Sequence, residues 1–286
     1  MRIILTNEYG SFEMGGGGHP MARVYDIAGI GLPSKETQSV VFAGQSGRTV
    51  TDIRDVERTI TIGFDFYGGI HEIEKLYKCI YHPVELQFFA GSSRRKISGR
   101  CVAATDIEKI IYHRWSKLVL QFVCDDPYFH DLYPEKIGIA AITDKLPNVY
   151  EDGEWYVSLP AVATQRVNSR AVRNYGDTVI YPVIRLYNNK EVAATGNITV
   201  TNETTGKAIT LEYLMSANEE VTVDIPRRTI TSDVSGDITN YISDDTALGD
   251  FFLAIGENTL SAASSGETDD IIAELEFYNN YIAVVI

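Results

Sequence analysis

The stretch Lys117–Asp131, KLVLQFVCDDPYFHD, decides how the chain is divided. Leu118, Leu120 and Phe122 alternate with other residues, and this period of two predicts a strand with one buried face. Pro127 follows an acidic pair and cannot donate a hydrogen bond to a neighbouring strand. The sheet is therefore predicted to end there, at the boundary between two differently built halves.

The residues before this boundary predict a sheet or barrel packed against one helix. Apolar residues alternate through Arg58–Phe66, which indicates a half-buried antiparallel strand. From Ile70 to Tyr81 they recur at spacings of three and four, which predicts an amphipathic helix of about three turns that Pro83 ends. Further strands are predicted at Arg2–Leu5, Val84–Phe89, Lys96–Thr105 and Lys117–Cys124, with a turn at Gly91–Arg95.

The residues after the boundary predict a second β domain. Residues 136–173 show a weak pattern and are predicted to be a connector with a hairpin that leads into the next domain. Beyond them, Ile198–Val200 and Ile209–Tyr213 flank the turn-forming residues 202–207, which predicts a hairpin. Short, evenly spaced strands of this kind favour a β-sandwich. The predicted class is mainly β, with an N-terminal β domain carrying one α-helix at 1–135 and a C-terminal sandwich at 174–286.

The net charge of −14 is distributed unevenly along the chain. Residues 1–136 hold 16 Lys and Arg against 17 Asp and Glu, a net −1, whereas residues 137–286 hold 9 against 22, a net −13. An acidic surface repels phosphate backbones, which argues against nucleic-acid binding by the second half. A soluble, solvated surface explains the same charge.

The cysteines and the apolar segments indicate in which cellular compartment the protein is made. Cys79, Cys101 and Cys124 have no paired spacing, so we expect buried free thiols in a protein made in a reducing compartment. No basic segment followed by an apolar one opens the chain, and no run approaches the roughly 18 apolar residues that span a bilayer. We therefore expect no cleaved signal and no membrane segment.

No catalytic or metal-binding motif is complete. The glycine run Gly15–Gly18 is not followed by the Lys-[Ser/Thr] of a phosphate-binding loop. Cys79 and His82 offer two ligands where a structural zinc ion takes four. Ser46 lacks the glycine that a nucleophile elbow places two residues later. We predict no enzymatic activity, no cofactor and no metal.

Three other groups of residues have structural explanations. Asp125 and Asp126 leave a strand toward opposite faces, so they favour a turn rather than an acid/base pair. Trp115 and Trp155 could stack on sugars, although aromatic residues on strands more often belong to a core or an interface. The basic cluster Arg94, Arg95 and Lys96 indicates a solvated turn or a subunit contact rather than a nucleic-acid site.

The order of several segments resembles one family. ITIGFDFYGG at 60–69, one helix, a hairpin and LQFVCDDPYFHD at 120–131 resemble the N-terminal domain of the distal tail (Dit) proteins of long-tailed bacteriophages and prophages. The later segments resemble that family's C-terminal galectin-like sandwich; they are NYGDTVIYPVIRLYN (174–188), ITVTNETTGKAITLEYL (198–214), EEVTVDIPRRTI (219–230), IGENTLSAAS (255–264) and LEFYNNYIAVVI (275–286).

The resemblance implies a structural protein of the virion tail tip, made and assembled in the cytoplasm of the bacterial host. It implies a hexameric ring, built through the N-terminal domains, that joins the tail tube protein to a tail-tip protein, tail-associated lysin or baseplate protein. DNA would pass through the ring without specific binding. The C-terminal domains would point outward and hold a receptor-binding protein or a host glycan.

For the ring, we predict subunit contacts at the helix and at the first hairpin. The alternative, that these residues only pack their own protomer, remains open. The predicted interface residues are Ile70, Glu74, Lys78, Arg94, Arg95 and Lys96.

Two functions of other classes stand beside this one. A carbohydrate-binding adhesion module would use exposed aromatic residues of the second half. A glycan hydrolase would need two carboxylates that converge at a distance of roughly 5–9.5 Å.

Overall fold

Two separate hydrophobic cores divide the chain into two units. The first unit comprises Met1–Leu132 and Asn280–Ile286, and the second comprises Tyr133–Asn279. The computed structural model describes residues 1–16, 21–44, 46–105, 114–145, 150–151, 154–155, 163–167, 169–188, 197–264 and 271–285. Because the chain leaves the first unit after Leu132 and returns at Asn280, the second unit is an insertion within the first in chain order.

Before the insertion, the described residues of the first unit form ten strands and one helix. They are β1 (Arg2–Asn7), β2 (Gly10–Gly15), β3 (Ala22–Ala28), β4 (Lys35–Val40), β5 (Thr49–Asp55), β6 (Arg58–Phe66), α1 (Ile70–Tyr81), β7 (Val84–Ala90), β8 (Ser93–Thr105), β9 (Ser116–Cys124) and β10 (Phe129–His130). The main sheet has the order β2-β1-β7-β8-β9-β6-β3, with antiparallel neighbours.

The centre of this sheet follows the alternation of the sequence. Strand β6 pairs with β9 so that Ile62 lies opposite Leu120 and Phe64 opposite Leu118, and all four side chains are buried. Burying a side chain of this size contributes about 1.5–3 kcal/mol. The strand predicted at Arg58–Phe66 is confirmed with the predicted bounds.

The helix predicted at Ile70–Tyr81 is also confirmed. It buries Ile73, Leu76 and Cys79 against the sheet, and its exposed face carries the charged residues. The Glu72 carboxylate accepts a hydrogen bond of 3.0 Å from the Gly69 amide, which satisfies one donor at the start of the helix.

The first hairpin differs from its prediction. Ala90 pairs with Ser93, so the turn comprises Gly91 and Ser92 rather than Gly91–Arg95. Gly91 has φ +57°, a conformation that suits glycine in a tight turn. Because the turn is this short, Arg94 and Arg95 lie on β8 opposite two phenylalanines of β7.

The described residues of the second unit form a sandwich of two antiparallel sheets and one separate two-stranded hairpin, Tyr150–Glu151 with Glu154–Trp155. Its strands are β11 (Glu135–Lys145), β12 (Tyr150–Glu151), β13 (Glu154–Trp155), β14 (Ala163–Val167), β15 (Ser169–Asn174), β16 (Val183–Asn188), β17 (Ile198–Asn202), β18 (Lys207–Leu211), β19 (Glu220–Asp224), β20 (Thr229–Ser232), β21 (Gly236–Asp237), β22 (Gly256–Ser264) and β23 (Ile271–Phe277); β24 (Asn280–Tyr281) returns to the first unit. The sheet orders are β14-β11-β23-β16-β19-β20-β21 and β15-β22-β17-β18. The mainly β class is confirmed, as is the hairpin β17–β18.

The division into domains differs from the prediction in two places. Residues 136–173, predicted as a connector, contribute β11, β14 and β15 to the sheets of the sandwich. A bulge between Gly138 and Ala140 shifts the register of β11, which explains why the alternation is weak there. Residues 280–286, predicted as part of the sandwich, belong to the first unit because β24 pairs with β10.

A buried carboxylate orders one end of the sandwich. Glu219 accepts hydrogen bonds from the hydroxyls of Tyr213, at 2.7 Å, and Ser232, and from the backbone amide of Ser216. Burial acts to raise the pKa of Glu219, but these hydrogen bonds outweigh it and lower the pKa below its ordinary value. The carboxylate is therefore held in its ionised form.

The cysteines are free thiols, and their burial varies. Cys79 and Cys124 are buried, whereas Cys101 is only half-buried. Burial raises the pKa of the Cys124 thiol to about 12, so that thiol is unreactive at neutral pH. No helix in the described part of the chain is long and apolar enough to cross a bilayer.

Candidate assembly interface

The first unit carries a hairpin that stands outside its main sheet. Strands β4 and β5, with the residues that join them, form a segment from Lys35 to Asp55 that we call the hairpin arm. Among the described strands, β4 and β5 pair only with each other. Every residue of β4 is exposed, as is every residue of β5 except Asp55. A two-stranded hairpin of this kind is marginally stable by itself, so a covering partner would stabilise it.

The hairpin arm exposes apolar side chains. Their exposed fractions are 43% for Val40, 67% for Val41, 60% for Phe42, 46% for Val50 and 57% for Ile53. Single exposed apolar residues are ordinary, but a group of them on one projecting element marks an interaction surface.

The base of the arm is held by polar contacts. The Val56 amide donates a hydrogen bond of 3.0 Å to the Ser34 carbonyl, which joins the two ends of the arm. Asp55 accepts a hydrogen bond of 2.7 Å from the Tyr128 hydroxyl, and its other oxygen lies 3.2 Å from the Lys35 ammonium. The Tyr128 hydrogen bond, aided by Lys35, lowers the pKa of Asp55. The arm is thus attached to the unit by an ionised carboxylate.

Arg58 lies just after the arm and is 3% exposed. Its guanidinium stacks over the Phe129 ring at 4.6 Å from the centroid. Burial lowers the pKa of Arg58, because a buried charge loses its hydration. The guanidinium regains polar partners by donating to four backbone carbonyls, those of Gly29 (2.7 Å), Gly31 (2.6 Å), Pro127 (2.7 Å) and Ile282 (2.8 Å).

A second apolar feature lies between α1 and the distal half of β8. This cavity of about 350 Å³, which we call the helix groove, has no charged side chain among its described lining residues. They are Tyr77, Ile80, Tyr81, Cys101, Val102, Ala103 and Ala104. Tyr81 is 84% exposed and Val102 57%. The first unit therefore presents an apolar projection and an apolar recess on different elements.

The predicted interface residues fall into two groups. Ile70, Glu74, Lys78 and Arg94 have exposed side chains. Arg95 instead stacks on the Tyr281 ring, 3.4 Å from its centroid, and pairs with Asp131 at 2.9 Å. Lys96 pairs with Glu85 at 3.0 Å. The sequence-based prediction did not include the hairpin arm, whose β4 and β5 show no buried face.

The residues considered for catalysis or metal binding have structural partners. Asp125 pairs with Arg100 at 2.8 Å. The Asp126 carboxylate accepts from the Tyr128 amide at 2.9 Å and lies 3.0 Å from the His130 ring, so it stabilises a turn that contains Pro127. Within the described residues, no three His, Cys, Asp or Glu side chains are grouped as metal ligands would be. Gly17, Gly18 and the side chain of Trp155 lie outside the described residues.

The sandwich also exposes aromatic residues. Tyr175 is 61% exposed beneath the Arg173 guanidinium, and Tyr181 is 44% exposed and meets the Phe252 ring edge-on at 6.5 Å. These rings follow β15 and precede β16. The unit exposes other aromatic residues as well, including Tyr133 at 80%.

Comparison with known families identifies the second unit. Residues 175–281 match the sequence model of the family described as siphovirus-type tail component, C-terminal domain. Residues 175–281 are therefore similar to this tail component domain. This match begins at Tyr175, after β15, and ends at Tyr281 in β24.

Solved structures share the fold of the whole chain. The SPP1 Dit protein (gp 19.1), described as a hub of the adsorption apparatus in phages that infect Gram-positive bacteria, aligns with a TM-score of 0.63 at 17% identity, covering 91% of this chain and 93% of that chain. A chain of the phage P2 baseplate in its activated conformation with Ca aligns at 0.52 and 12% identity, covering 99% of both chains. The corresponding structure with Sr aligns at 0.52 and 13%, covering 97% and 98%.

These likenesses show a shared fold that extends beyond the tail component domain. No curated protein sequence matches the chain. Together with the family match, they confirm the resemblance to the distal tail protein family that the sequence segments indicated.

Proposed function

We propose that this protein is a distal tail hub, a structural and non-enzymatic component of a phage tail tip. Copies of the first unit assemble into a closed, hexameric ring that joins the tail tube to a baseplate or tail-tip protein. DNA crosses the ring during infection without specific binding. The protein is made and assembled in the bacterial host cytoplasm.

This proposal rests on two surfaces of the first unit, the hairpin arm and the helix groove. A ring needs a heterologous contact, in which one surface of each subunit meets a different surface of the next. The hairpin arm and the helix groove are two such surfaces. The arm exposes Val, Phe and Ile side chains beside charged ones such as Arg54 and Glu36, and the described lining of the groove is uncharged. Burying a Val, Ile or Phe side chain contributes about 1.5–3 kcal/mol, so covering the arm supplies a substantial driving force.

The charge of the two halves suits this arrangement. Residues 1–136 carry a net charge of −1, which places little repulsion between packed copies. Residues 137–286 carry −13 and would remain solvated when they project from the ring. The exposed Ile70, Glu74, Lys78 and Arg94 remain proposed contacts with a neighbouring copy, whereas Arg95 and Lys96 would contribute through β8.

The arm provides the sharpest test. We expect Val41→Asp and Ile53→Asp to prevent ring formation while leaving the unfolding transition of the first unit unchanged, because both side chains are exposed in the protomer. Ser11→Asp is the control, since it adds the same charge at an exposed position of β2, outside the arm and the helix groove. Native mass spectrometry and negative-stain images measure assembly. Rings formed equally by all four proteins would refute the role of the arm.

Carbohydrate binding by the sandwich is a second candidate, because Tyr175 and Tyr181 are exposed beside each end of the β15–β16 connection. Aromatic faces of this kind pack against sugars as well as proteins. A glycan array probed with the purified protein, and with Tyr175→Ala and Tyr181→Ala, tests it. Signals that both substitutions remove would support the adhesion function, and a silent array would contradict it.

A further inference from the structure

The residues that follow the insertion attach to the first unit in two places. We call residues 280–285 the return segment. Its start pairs with β10, Asn280 opposite His130 and Tyr281 opposite Phe129. Tyr281 is covered by the Arg95 guanidinium. This part of the return segment completes the edge of the sheet.

The rest of the return segment contacts the stems of the hairpin arm. The Ile282 carbonyl accepts a hydrogen bond of 2.8 Å from Arg58. The Val284 amide donates one of 2.9 Å to the Ile30 carbonyl. Val284 is 5% exposed and Ile30 8%, and both belong to the core of the first unit. The segment thus makes a buried apolar contact through Val284.

Both stems meet at this contact. Residues 29–34 lead into the arm, and residues 56–58 leave it. Arg58 joins the two stems, because the guanidinium that binds Ile282 also binds the carbonyls of Gly29 and Gly31. Gly29 has φ +86°, and a Cβ there would lie 2.0 Å from the Thr59 carbonyl oxygen, so the first stem has one tightly defined path.

We propose that the return segment is a clamp that fixes the base of the hairpin arm. When the return segment is docked, the arm has one orientation. When the segment is undocked, the stems lose their hydrogen bonds to Ile282 and Val284, and Arg58 is no longer covered. Residue 280 is synthesised only after the whole inserted unit, so the arm is ordered only once the second unit has been made. The ordered arm is the form that binds a partner copy, a consequence that rests on the proposed function, whereas the clamp itself does not.

Neighbouring valines allow a matched test in the full chain. Val284→Asp places a carboxylate in the buried contact, whereas Val285→Asp adds the same group at a position that is 77% exposed. Hydrogen exchange is measured by mass spectrometry at a concentration where the protein is monomeric. In Val284→Asp we expect exchange of the Val56 amide, which donates to the Ser34 carbonyl, to rise about tenfold or more, because the stems open more often. Val285→Asp should match the unsubstituted protein.

Two results would overturn the clamp. Unchanged protection of the stems in Val284→Asp, with the return segment itself exchanging freely, would show that docking does not order the arm. Faster exchange throughout β6 and β9 would mean that the substitution unfolds the whole unit. The same exchange measurement on the milder Val284→Ala then shows whether the stems loosen before the rest of the unit. If Val284→Ala also loosens the whole unit rather than the stems first, the segment is an ordinary part of the core and the clamp is refuted.

Assembly distinguishes the clamp from the proposed function. A Val284→Asp protein with loosened stems should fail to form rings, while Val285→Asp should form them. Normal rings from a protein with loosened stems would refute the consequence for assembly. Failure of the unsubstituted protein to form rings or join tail tips would refute the proposed function and leave the exchange result standing.

Discussion

Replacement of Arg58 by Met should strongly destabilise the first unit. The guanidinium is 3% exposed and donates to four carbonyls between 2.6 and 2.8 Å away. A hydrogen bond from a charged group contributes about 1.5–3 kcal/mol, but four bonds made by one side chain do not add independently. A buried acceptor left without its donor costs about 1–3 kcal/mol, and with four carbonyls affected we expect a total loss of about 3–5 kcal/mol. Met fills much of the same volume, so a cavity accounts for little of it.

Urea denaturation followed by the fluorescence of Trp115 measures this loss. Trp115 lies in the first unit, 5.4 Å from the Tyr67 ring, and replacing Trp155 by Phe removes the signal of the second unit. Arg100→Met is the control, because Arg100 is 60% exposed and forms a surface ion pair with Asp125. A surface pair contributes about 0–1 kcal/mol.

Arg58→Lys separates charge from geometry. Lysine keeps the positive charge, but one ammonium group cannot reach carbonyls from four segments, so we expect a cost between those of Arg100→Met and Arg58→Met. A loss below about 1 kcal/mol for Arg58→Met would refute the argument, because it would place this buried network within the range of a surface pair.

Two further predictions concern one carboxylate and two glycines. The pKa of Glu219 is lowered by folding, so its contribution to stability is complete above its ordinary pKa of 4.5 and is lost as the pH falls through the lower folded pKa. Glu219→Gln should remove this part of the acid sensitivity of the second unit, and urea midpoints of both proteins measured from pH 6 down to about pH 3 test it. Gly29→Ala should destabilise the first unit by more than about 2 kcal/mol, since it adds a clash to a positive φ, whereas Gly44→Ala, with φ +82° and open space, should cost about 1 kcal/mol. Equal thermal shifts for the two alanine variants would contradict this.

The elements with one buried face were predictable. Arg58–Phe66 and Ile70–Tyr81 have the bounds that their apolar periods indicated, because each buries one face and exposes the other. The hairpin β17–β18 followed for the same reason, with turn-forming residues between its strands.

The candidate interface was not predictable from periodicity. The hairpin arm exposes both faces in the protomer, so neither β4 nor β5 carries an alternating pattern. A strand that is covered only by another subunit need not alternate apolar and polar residues, so its sequence does not reveal the contact. The predicted interface residues Arg95 and Lys96 are charged and near a turn, yet β8 places them against Asp131 and Glu85 of their own unit.

Long-range pairing also lay beyond the sequence. The apolar residues of the return segment fit a strand in either unit, and only the pairing of Asn280 with His130, 150 positions earlier, assigns them to the first. Arg58 similarly resembles an ordinary polar residue at the start of a strand. Its importance depends on carbonyls from segments up to 224 positions away.

The mass of the assembled protein tests the central claim most directly. Native mass spectrometry across a range of concentrations, with negative-stain images of the same samples, should reveal closed rings of one size, and Val41→Asp should shift them to monomers. A protein that remains monomeric at every concentration, and that also fails to join purified tail tips in reconstitution, would contradict the account of a ring-forming tail hub.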